Sequence, residues 1–537
     1  MGARQRQAGI LLPLFSLRSA RDWGIGEIPD LVPTCHWLSD FEQKVLQLLP
    51  ANDIGHHETS PYAALSAFAL DPLYIALESL SDFTELDRSL VLDADDEAAL
   101  AAARAASRVD YGTVRRLKFK ALDAAYERFR DHELAADSER ARRFTAFRSE
   151  HRHWLDPYAL FTALRDGHEH RGWEDWPAEA RDGMTGATIA LAGQNSASME
   201  RCAYWQWIAA EQWQSALGEL RAAGVKLMGD LPYIVGRDSA DVWAHRHLFA
   251  LDVNCGAPPD QYSDTGQNWG LPGYRWDAMK RDDFAWMRQR AARAAELYDL
   301  FRVDHVVGLF RTWTIPHDGS PPHFRPGEEH EQRELGGRVL AAMQGGAGEA
   351  RIVAEDLGVI PDWVRQTLAE MDTPGYKVLR WEKDGNAFRD PAHYFEISIA
   401  TTGNHDTEPL PEWWEGLPDW ERGELLNLPG LASIRETAGP EFTPAVHAAI
   451  LEMIYASPSE LVLLPLQDLL GLRERINTPG TVGEQNWTWR MPWNVEELRG
   501  VESACGPARV ARELIERTGR SPGAEVPNHS PGTEVPG

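Results

Sequence analysis

LFRVDHVVG, residues 300–308, is the most informative segment of this chain. It is a short apolar run that carries Arg302 and ends in Asp304 and His305. Because the side chains of a strand alternate between its two faces, Arg302 and Asp304 point to one side and Val303 to the other. A cation two residues before a carboxylate keeps that carboxylate ionised and oriented, as a nucleophile or an electrostatic stabiliser requires. A surface ion pair has the same spacing, so this segment alone leaves a structural role and a catalytic role open.

Two further segments have the same design. RIVAEDLG at 351–358 and EISIATTGNHD at 396–406 are apolar runs that end in Glu355 and in Asp406. Three buried strands therefore each deliver an acid at their carboxyl end. In parallel α/β barrels the carboxyl ends of the strands form the catalytic face, so acids at that end indicate chemistry.

Apolar runs that are followed by turn residues and helical periodicity indicate eight strands. They lie at 9–14, 45–49, 225–231, 300–307, 351–357, 376–381, 396–401 and 460–465. Eight is the strand number of the (β/α)8 TIM barrel, so we predict an α/β fold of this type with inserted, mainly helical subdomains.

Uneven gaps between these strands predict where the insertions lie. We expect a catalytic barrel over 1–500, with a helical insertion at about 76–200 and a loop insertion at about 233–276. A terminal helix should follow at 501–520. The tail at 521–537 contains two near-copies of a Ser-Pro-Gly and Glu-Val-Pro unit without apolar periodicity, which predicts disorder.

Composition limits the classes of function. The chain has 537 residues, of which 43% are hydrophobic and 25% charged, and it lacks the apolar run of about 18 residues that a membrane span requires. Its formal charge of −28 repels nucleic acid and anionic lipid, so we expect neither as a partner and expect a neutral substrate. The four cysteines lack the short spacings of zinc sites or disulfide scaffolds, which favours a reducing, cytoplasmic location.

A barrel with a ring of carboxylates and 21 tryptophans suits glycoside chemistry. Indole rings stack on the apolar faces of sugar rings, although a single tryptophan is more often part of a core. A retaining glycosidase needs a carboxylate nucleophile and a protonated carboxylic acid about 5 Å apart, and neighbouring strands can present Asp304 and Glu355 at that separation. The apolar residues before Glu355 should raise the pKa of that acid by desolvation. Asp356 should face away from Glu355 and be structural.

The combination of FRVDH, VAEDLG and TGNHD resembles the 4-α-glucanotransferases of glycoside hydrolase family 77, the amylomaltases or disproportionating enzymes. The resemblance extends to about Trp493. It includes ILLPLFSL near the start, TSPYAALSAFALDPLY at 59–74, GDLPYIVGRDSADVW at 229–243, GAPPDQYSDTGQNWGLPGY at 256–274 and LPLQDLLGLRERINTPGT at 464–481. Together and in this order, these motifs identify the family.

The resemblance implies roles for individual residues. Asp304 matches the nucleophile that forms a covalent glucosyl intermediate, Glu355 the general acid/base, and Asp406 the third carboxylate that holds sugar hydroxyls. The residues that match substrate contacts around them are Tyr62, Asp230, Trp269, Arg302, His305 and His405. The resemblance also implies maltooligosaccharides or α-1,4-glucan as the partner, no cofactor and no metal, and a monomer or weak homo-oligomer.

The chain also departs from the family pattern. Thr407-Glu408-Pro409 replaces the usual Asn-Asp-Thr, Asp71 replaces Asn, and the segments 318–348 and 382–395 follow the pattern poorly. Contacts to the acceptor and the preferred chain length depend on such segments. Three alternatives remain open at this point: an α-glucan hydrolase of the same clan, a non-catalytic glucan-binding barrel, and a metallohydrolase that uses His56, His57, Glu58 or the Asp304-His305 pair.

Overall fold

The computed structural model describes residues 5–56, 58–259 and 265–520. The predicted tail at 521–537 lies outside the described residues. Within these ranges the strands are β1 (Gln7–Leu11), β2 (Val45–Gln47), β3 (Lys226–Leu231), β4 (Phe249–Ala257), β5 (Gln267–Tyr274), β6 (Leu300–Val303), β7 (Thr312–Pro316), β8 (His323–Arg325), β9 (Arg351–Ala354), β10 (Gly375–Val378), β11 (Lys383–Asp384), β12 (Ala387–Phe388), β13 (Ser398–Thr401) and β14 (Leu461–Pro465).

Eight of these strands close into a parallel barrel in the order β1-β14-β13-β10-β9-β6-β3-β2. Each overlaps one of the eight predicted runs, and the (β/α)8 TIM barrel is confirmed. The observed strands are shorter than the predicted runs because several carboxyl-terminal residues, such as Asp304 and Glu355, leave the strand to enter the catalytic loops.

The barrel interior is filled by alternate residues of its strands, as the twofold period of a strand requires. One enclosed cluster contains Val45, Met228, Leu300, Val353, Tyr376, Val378, Ile399, Leu461 and Leu463. Phe301 and Val303, the intervening residues of β6, pack outward in the larger cluster between barrel and helices. Arg302 and Asp304 therefore share the inner face of β6, as the alternation predicts.

Helices surround the barrel. Within the described ranges they are α1 (Leu31–Asp40), α2 (Ser81–Thr84), α3 (Arg88–Val91), α4 (Ala94–Ala105), α5 (Tyr111–Phe129), α6 (Glu139–Glu150), α7 (Arg152–Gly167), α8 (Ala178–Arg181), α9 (Gly186–Gln194), α10 (Ser196–Ala222), α11 (Ala240–Ala244), α12 (Trp276–Arg281), α13 (Ala285–Leu297), α14 (Glu329–Ala347), α15 (Asp362–Glu370), α16 (Leu410–Gly416), α17 (Asp419–Leu426), α18 (Pro444–Tyr455), α19 (Leu466–Leu470) and α20 (Glu502–Arg517).

The segment 76–200, predicted as a helical insertion, contains α2 to α9 and the start of α10. Aspartate and serine side chains begin several of these helices, since Asp93, Asp110 and Ser138 each accept a hydrogen bond from a first-turn backbone N–H. Near the other end of the chain, α20 occupies most of the range 501–520 that was predicted as a terminal helix.

The segment 233–276 differs from the predicted loop insertion. It contains α11 and the strands β4 and β5, which pair antiparallel and join β7 and β8 in a four-stranded sheet of order β5-β4-β7-β8. Glycine, proline and asparagine are frequent in β5, QNWGLPGY, and they weaken any strand pattern in the sequence. Long-range pairing with β7, which lies beyond β6, makes the sheet, and a local pattern does not reveal such pairing.

One of the seven connections between successive barrel strands differs from the other six. Residues 379–397, which link β10 to β13, are all described, and they form the short hairpin β11-β12 and a 3-10 turn but no α-helix. The outer face of β10 is consequently left without a covering helix of its own.

Across the residues that the structure describes, none of the helices combines the length and the apolar character needed to cross a membrane.

Candidate active site

A buried ion pair forms the base of the site at the carboxyl ends of β3 and β6. Asp230 and Arg302 are paired in the register of these strands. The Arg302 guanidinium donates to both Asp230 carboxylate oxygens at 2.6 and 2.8 Å, and the Tyr62 hydroxyl donates to Asp230 Oδ2 at 2.7 Å. Burial raises the pKa of Asp230, while the pKa of Arg302 is raised well above its ordinary value because, against the effect of burial, Asp230 and Asp304 stabilise the cation. Arg302 is therefore a fixed positive charge.

Asp304 is the second carboxylate that the Arg302 guanidinium binds. Arg302 Nη2 donates to Asp304 Oδ1 at 2.8 Å, and the Asp304 backbone N–H donates to the Leu231 carbonyl at 3.0 Å, which continues the strand pairing. The side chain of Asp304 is 28% exposed, whereas that of Asp230 is fully buried. Of the two carboxylates on Arg302, only Asp304 is accessible to a molecule in the cavity above.

Glu355 follows β9, the next strand of the barrel, and backbone groups hold its carboxylate. The His305 N–H donates to Glu355 Oε2 at 2.8 Å and the Leu357 N–H donates to Oε1 at 2.9 Å. His305 can present this donor because its backbone is left-handed, with φ 43° and ψ 54°, a conformation that is uncommon for a residue with a side chain. Burial raises the pKa of Glu355 to about 7. Asp356 faces the other way, as predicted, and accepts from the Tyr376 N–H at 2.7 Å.

Asp406 lies in the loop after β13. Although burial opposes ionisation, the charge of His405 and hydrogen bonds from His405 and Asn477 lower the pKa of Asp406 to about 2. His405 Nε2 lies 3.4 Å from Asp406 Oδ2, and Asn477 Nδ2 donates to Oδ1 at 2.6 Å. The pKa values of Glu355 and Asp406 are thus shifted in opposite directions.

A cavity of about 360 Å³ brings these side chains together. It is lined by Ser60, Tyr62, Pro232, Tyr233, Ile234, Trp269, Leu271, Asp304, His305, Glu355, His405, Asp406, Asn477, Pro479 and Trp487. All three predicted carboxylates line it, together with four of the six predicted contact residues. Asp230 and Arg302, the other two, lie beneath the lining and act on it through Asp304.

Aromatic rings form two walls of the cavity. Trp269 meets the His305 ring edge to face, with ring centres 4.8 Å apart. On the other side Tyr62 stacks on His405 with ring centres 5.3 Å apart, and Trp487 contacts both rings at 5.8 and 5.7 Å. Burial lowers the pKa of His305 to about 4, so this imidazole is neutral at neutral pH. Apolar walls above a charged base are what a neutral polyol with apolar ring faces requires.

Sequence reasoning missed Asn477, Trp487 and Tyr233. Asn477 and Trp487 follow β14 in irregular chain between α19 and α20, where neither strand periodicity nor a charged pair marks them. The motif LPLQDLLGLRERINTPGT includes Asn477, so the resemblance contained a signal for that residue. Tyr233 follows the Asp230-Leu-Pro turn directly, and its ring stands 5.6 Å from that of His305.

The structure locates two of the departures from the family pattern relative to this cavity. Glu408, in the replaced tripeptide, accepts from Arg380 Nη1 through its carbonyl at 2.9 Å and from Arg475 Nη1 through its carboxylate at 3.2 Å. Arg475 also donates to the Asp406 carbonyl at 3.1 Å. Asp71 is buried away from the cavity, where it accepts from the Leu73 N–H at 2.9 Å and begins a 3-10 turn. The replaced tripeptide therefore belongs to the hydrogen-bonded support of Asp406, whose carboxylate lines the cavity.

Chemically, the cavity places Glu355, whose pKa is raised to about 7, beside Asp304, which Arg302 orients, and such a pair of carboxyl groups can divide the roles of glycosidic acid and nucleophile. In the part of the chain that the structure describes, no group of three or more His, Cys, Asp or Glu side chains is arranged to hold a metal ion.

Comparisons with known proteins identify the family of this chain. The family model described as 4-alpha-glucanotransferase, glycoside hydrolase family 77, matches residues 12–496. A 4-alpha-glucanotransferase from Chlamydia pneumoniae is 31% identical over 505 residues, covering 91% of this chain and 92% of the relative, and one from Thermus thermophilus is 33% identical over 504 residues, covering 90% and 95%. The amylomaltase of Streptococcus agalactiae in complex with acarbose superposes with a TM-score of 0.81 at 26% identity, over 96% of this chain and 100% of that one. The chain belongs to glycoside hydrolase family 77, the 4-alpha-glucanotransferases.

Proposed function

We propose that this protein is a 4-α-glucanotransferase that moves α-1,4-glucan segments between maltooligosaccharides by a retaining double displacement. The observation that carries the proposal is that Asp304, Glu355 and Asp406, far apart in the sequence, line one cavity in a member of this family. The neutral donor and acceptor also suit a protein with a formal charge of −28.

In the first displacement Glu355 donates its proton to the leaving glycosidic oxygen while Asp304 attacks the anomeric carbon. The raised pKa of Glu355 supports the acid role, because about half of the carboxyl groups retain the proton near pH 7. The Arg302 hydrogen bond supports the nucleophile role, since it orients Asp304 Oδ1 and leaves the second carboxylate oxygen for the attack. The product is a β-linked glucosyl ester on Asp304.

In the second displacement Glu355 accepts the proton of an incoming 4-hydroxyl group, and that oxygen displaces Asp304 from the anomeric carbon. Two inversions restore the α configuration. Asp406, kept ionised by its lowered pKa, accepts hydrogen bonds from the hydroxyl groups of the distorted ring. The aromatic walls around Tyr62 and Trp269 hold the acceptor sugar against competition from water.

Incubation with maltotriose tests the proposal. A transferase produces glucose and a ladder of longer oligosaccharides without a net rise in reducing ends. A hydrolase of the same clan produces glucose and maltose with a rise in reducing ends, and a non-catalytic barrel leaves maltotriose unchanged. Either of these two results would overturn the proposal. A treatment with chelator, which should leave the ladder intact, tests the metallohydrolase alternative.

We further propose a cytoplasmic location. All four cysteines, Cys35, Cys202, Cys255 and Cys505, are free and buried, which fits a compartment where thiols stay reduced. Glucose polymers and their oligosaccharides would be the partners there, and the predicted monomer or weak homo-oligomer stays a prediction.

A further inference from the structure

A second cavity lies on the outside of the barrel, away from the three carboxylates. It is a groove of about 770 Å³ between α15 and the connection 379–397, and its floor includes the outward residues Gly375 and Lys377 of β10. In most (β/α)8 units a helix packs on this face of the strand. Because the β10–β13 connection forms no α-helix, the groove remains open to solvent. It also coincides with 382–395, one of the segments in which the chain departs from its family.

The groove carries no net charge, in a protein whose formal charge is −28. Its acidic lining residues are Asp356, Asp362, Glu382 and Glu396, and its basic ones are Arg365, Lys377, Lys383 and Arg389. Most of these charges are paired with each other. Arg365 Nε lies 3.3 Å from Asp356 Oδ2, and Lys377 Nζ lies 3.3 Å from Glu382 Oε1. A groove of this kind attracts neither anions nor cations, but it offers polar groups to the hydroxyls of a neutral ligand.

Two exposed aromatic residues line the same groove. Trp381 is 42% exposed and Phe395 is 71% exposed. Lys377 Nζ lies 5.7 Å from the centre of the Phe395 ring, so the Phe395 ring and a hydrogen-bonding group stand side by side. Rings beside paired polar groups are the surroundings that bind a sugar ring, whose faces are apolar and whose edge is a row of hydroxyls.

The groove adjoins the loop that carries Asp406. Trp381 follows Arg380, whose guanidinium donates to the carbonyls of Thr402 at 2.8 Å and Glu408 at 2.9 Å. These two residues flank the His405-Asp406 pair. The Trp381 end of the groove is thus fixed to the rim of the catalytic cavity, while Phe395 lies toward the amino end of β13.

We propose that this groove is a second glucan-binding site, which holds a neutral α-1,4-glucan chain too long for the catalytic cavity. The inference rests on the proposed function for the identity of the ligand. It assigns to Trp381 and Phe395 the stacking of sugar rings and to the groove's paired polar side chains the hydrogen bonds to hydroxyls. Its consequence is a preference for long polymers that the catalytic cavity alone does not provide.

The experiment compares full-length Trp381→Ala, Phe395→Ala and the double variant with wild type. Affinity electrophoresis in gels that contain amylopectin gives the dissociation constant, and transfer from maltotriose reports the catalytic cavity. We expect the dissociation constant for amylopectin to rise about fivefold in each single variant and more in the double variant, because truncating a central aromatic contact costs more than about 1 kcal/mol. Activity on maltotriose should stay within about twofold of wild type, since both side chains are exposed and lie outside the catalytic cavity.

Trp420→Ala is the matched control. Trp420 is 55% exposed and does not line the groove, so amylopectin binding should be unchanged in this variant. Unchanged binding in the double variant, equal weakening in Trp420→Ala, or a parallel loss of maltotriose transfer would each overturn the proposal. Failure of the proposed function is read separately, as the absence of a maltotriose ladder in the wild-type protein.

Discussion

Two buried cations in this molecule hold carboxylates in different ways. Lys118, on α5, is fully buried and lies 2.6 Å from Glu27 Oε1, and its ammonium also donates to the carbonyls of Leu73 at 2.6 Å and Ile75 at 2.8 Å. Arg302, on β6, is also buried, but one of its two carboxylate partners, Asp304, faces the catalytic cavity. The first cation has three protein partners in a sealed interior, and the second leaves an accessible carboxylate oxygen.

The difference separates stability from chemistry. Lys118 ties the helical insertion to the segment before α1 and to the chain after β2, so its charge is used entirely within the fold. Arg302 donates from Nη1 to the buried Asp230 and from Nη2 to Asp304, which remains accessible to a ligand. Burial of an ion pair alone therefore does not identify a site; what distinguishes Arg302 from Lys118 is that its partner Asp304 lines the catalytic cavity.

The largest effect is expected at Asp304, the partner of Arg302 that faces the cavity. Asp304→Asn removes the attacking carboxylate and should lower kcat for maltotriose by about 10⁴-fold or more, since loss of a covalent nucleophile has effects of this size. Thermal unfolding should change little because Asp304 is part-exposed. Asp419→Asn, at a fully exposed side chain, is the control and should keep full activity. Near-normal turnover in Asp304→Asn would mean that Asp304 is not the nucleophile.

Glu355→Gln should be the next largest effect and should also change the pH profile. Loss of a general acid lowers kcat by about 10²- to 10⁴-fold. In the wild type the protonated form is the active acid, so kcat/KM should fall as pH rises through about 7, the pKa of Glu355. On the acid side Asp406 stays ionised down to pH about 2. The profile of residual activity in Glu355→Gln should lack the alkaline limb, and its persistence would assign that limb to another group.

A pair of matched variants sharpens the comparison directly. Lys118→Met removes the cation beside Glu27, whose pKa burial raises to about 8, and leaves the carbonyls of Leu73 and Ile75 without their donor. Arg302→Met leaves Asp230 without its cation. Each change should lower the free energy of unfolding by about 3 kcal/mol or more. In urea unfolding the two should look alike. In activity per folded molecule they should differ, with Lys118→Met near wild type and Arg302→Met lowered by at least about 10²-fold. Equal activity in the two folded variants would remove the catalytic role of Arg302.

The smallest effect concerns the cavity wall. Trp269→Ala removes the ring that meets His305 at 4.8 Å, and KM for maltotriose should rise by up to about tenfold, with Trp269→Phe in between. The melting temperature should stay the same because Trp269 is only half-buried. A fall in kcat at constant KM would instead indicate that the ring positions His305 and, through its backbone N–H, Glu355.

The sequence predicted the barrel better than the sheet beside it, and the reason is physical. Barrel strands such as β6 and β14 are buried on both faces, so they are continuous apolar runs that composition reveals. The strands β4, β5, β7 and β8 form one sheet from segments on both sides of β6, and the glycine, asparagine and proline residues of β5 are typical of a loop. Their pairing joins segments that are distant in the sequence, and a local pattern does not reveal it.

The same distinction applies to the site. Asp304, Glu355 and Asp406 could be predicted because each stands at a fixed point, the carboxyl end of a buried run. Trp487 lies in irregular chain, and its ring contacts Tyr62 and His405, which are distant in the sequence. No local sequence pattern predicts such contacts. The left-handed backbone of His305 is equally invisible in the sequence, although it supplies the donor to Glu355.

Because β1 pairs with β14, the barrel can close only after nearly the whole chain has been synthesised. Residues 7–11 pair with residues 461–465, and β2 pairs with β3, from which the whole helical insertion separates it in the sequence. Contacts so distant along the chain form slowly. A nascent chain that already contains all three carboxylates but not β14 has no closed barrel to bring them together. A chain truncated before residue 461 should therefore show no transfer activity on maltooligosaccharides.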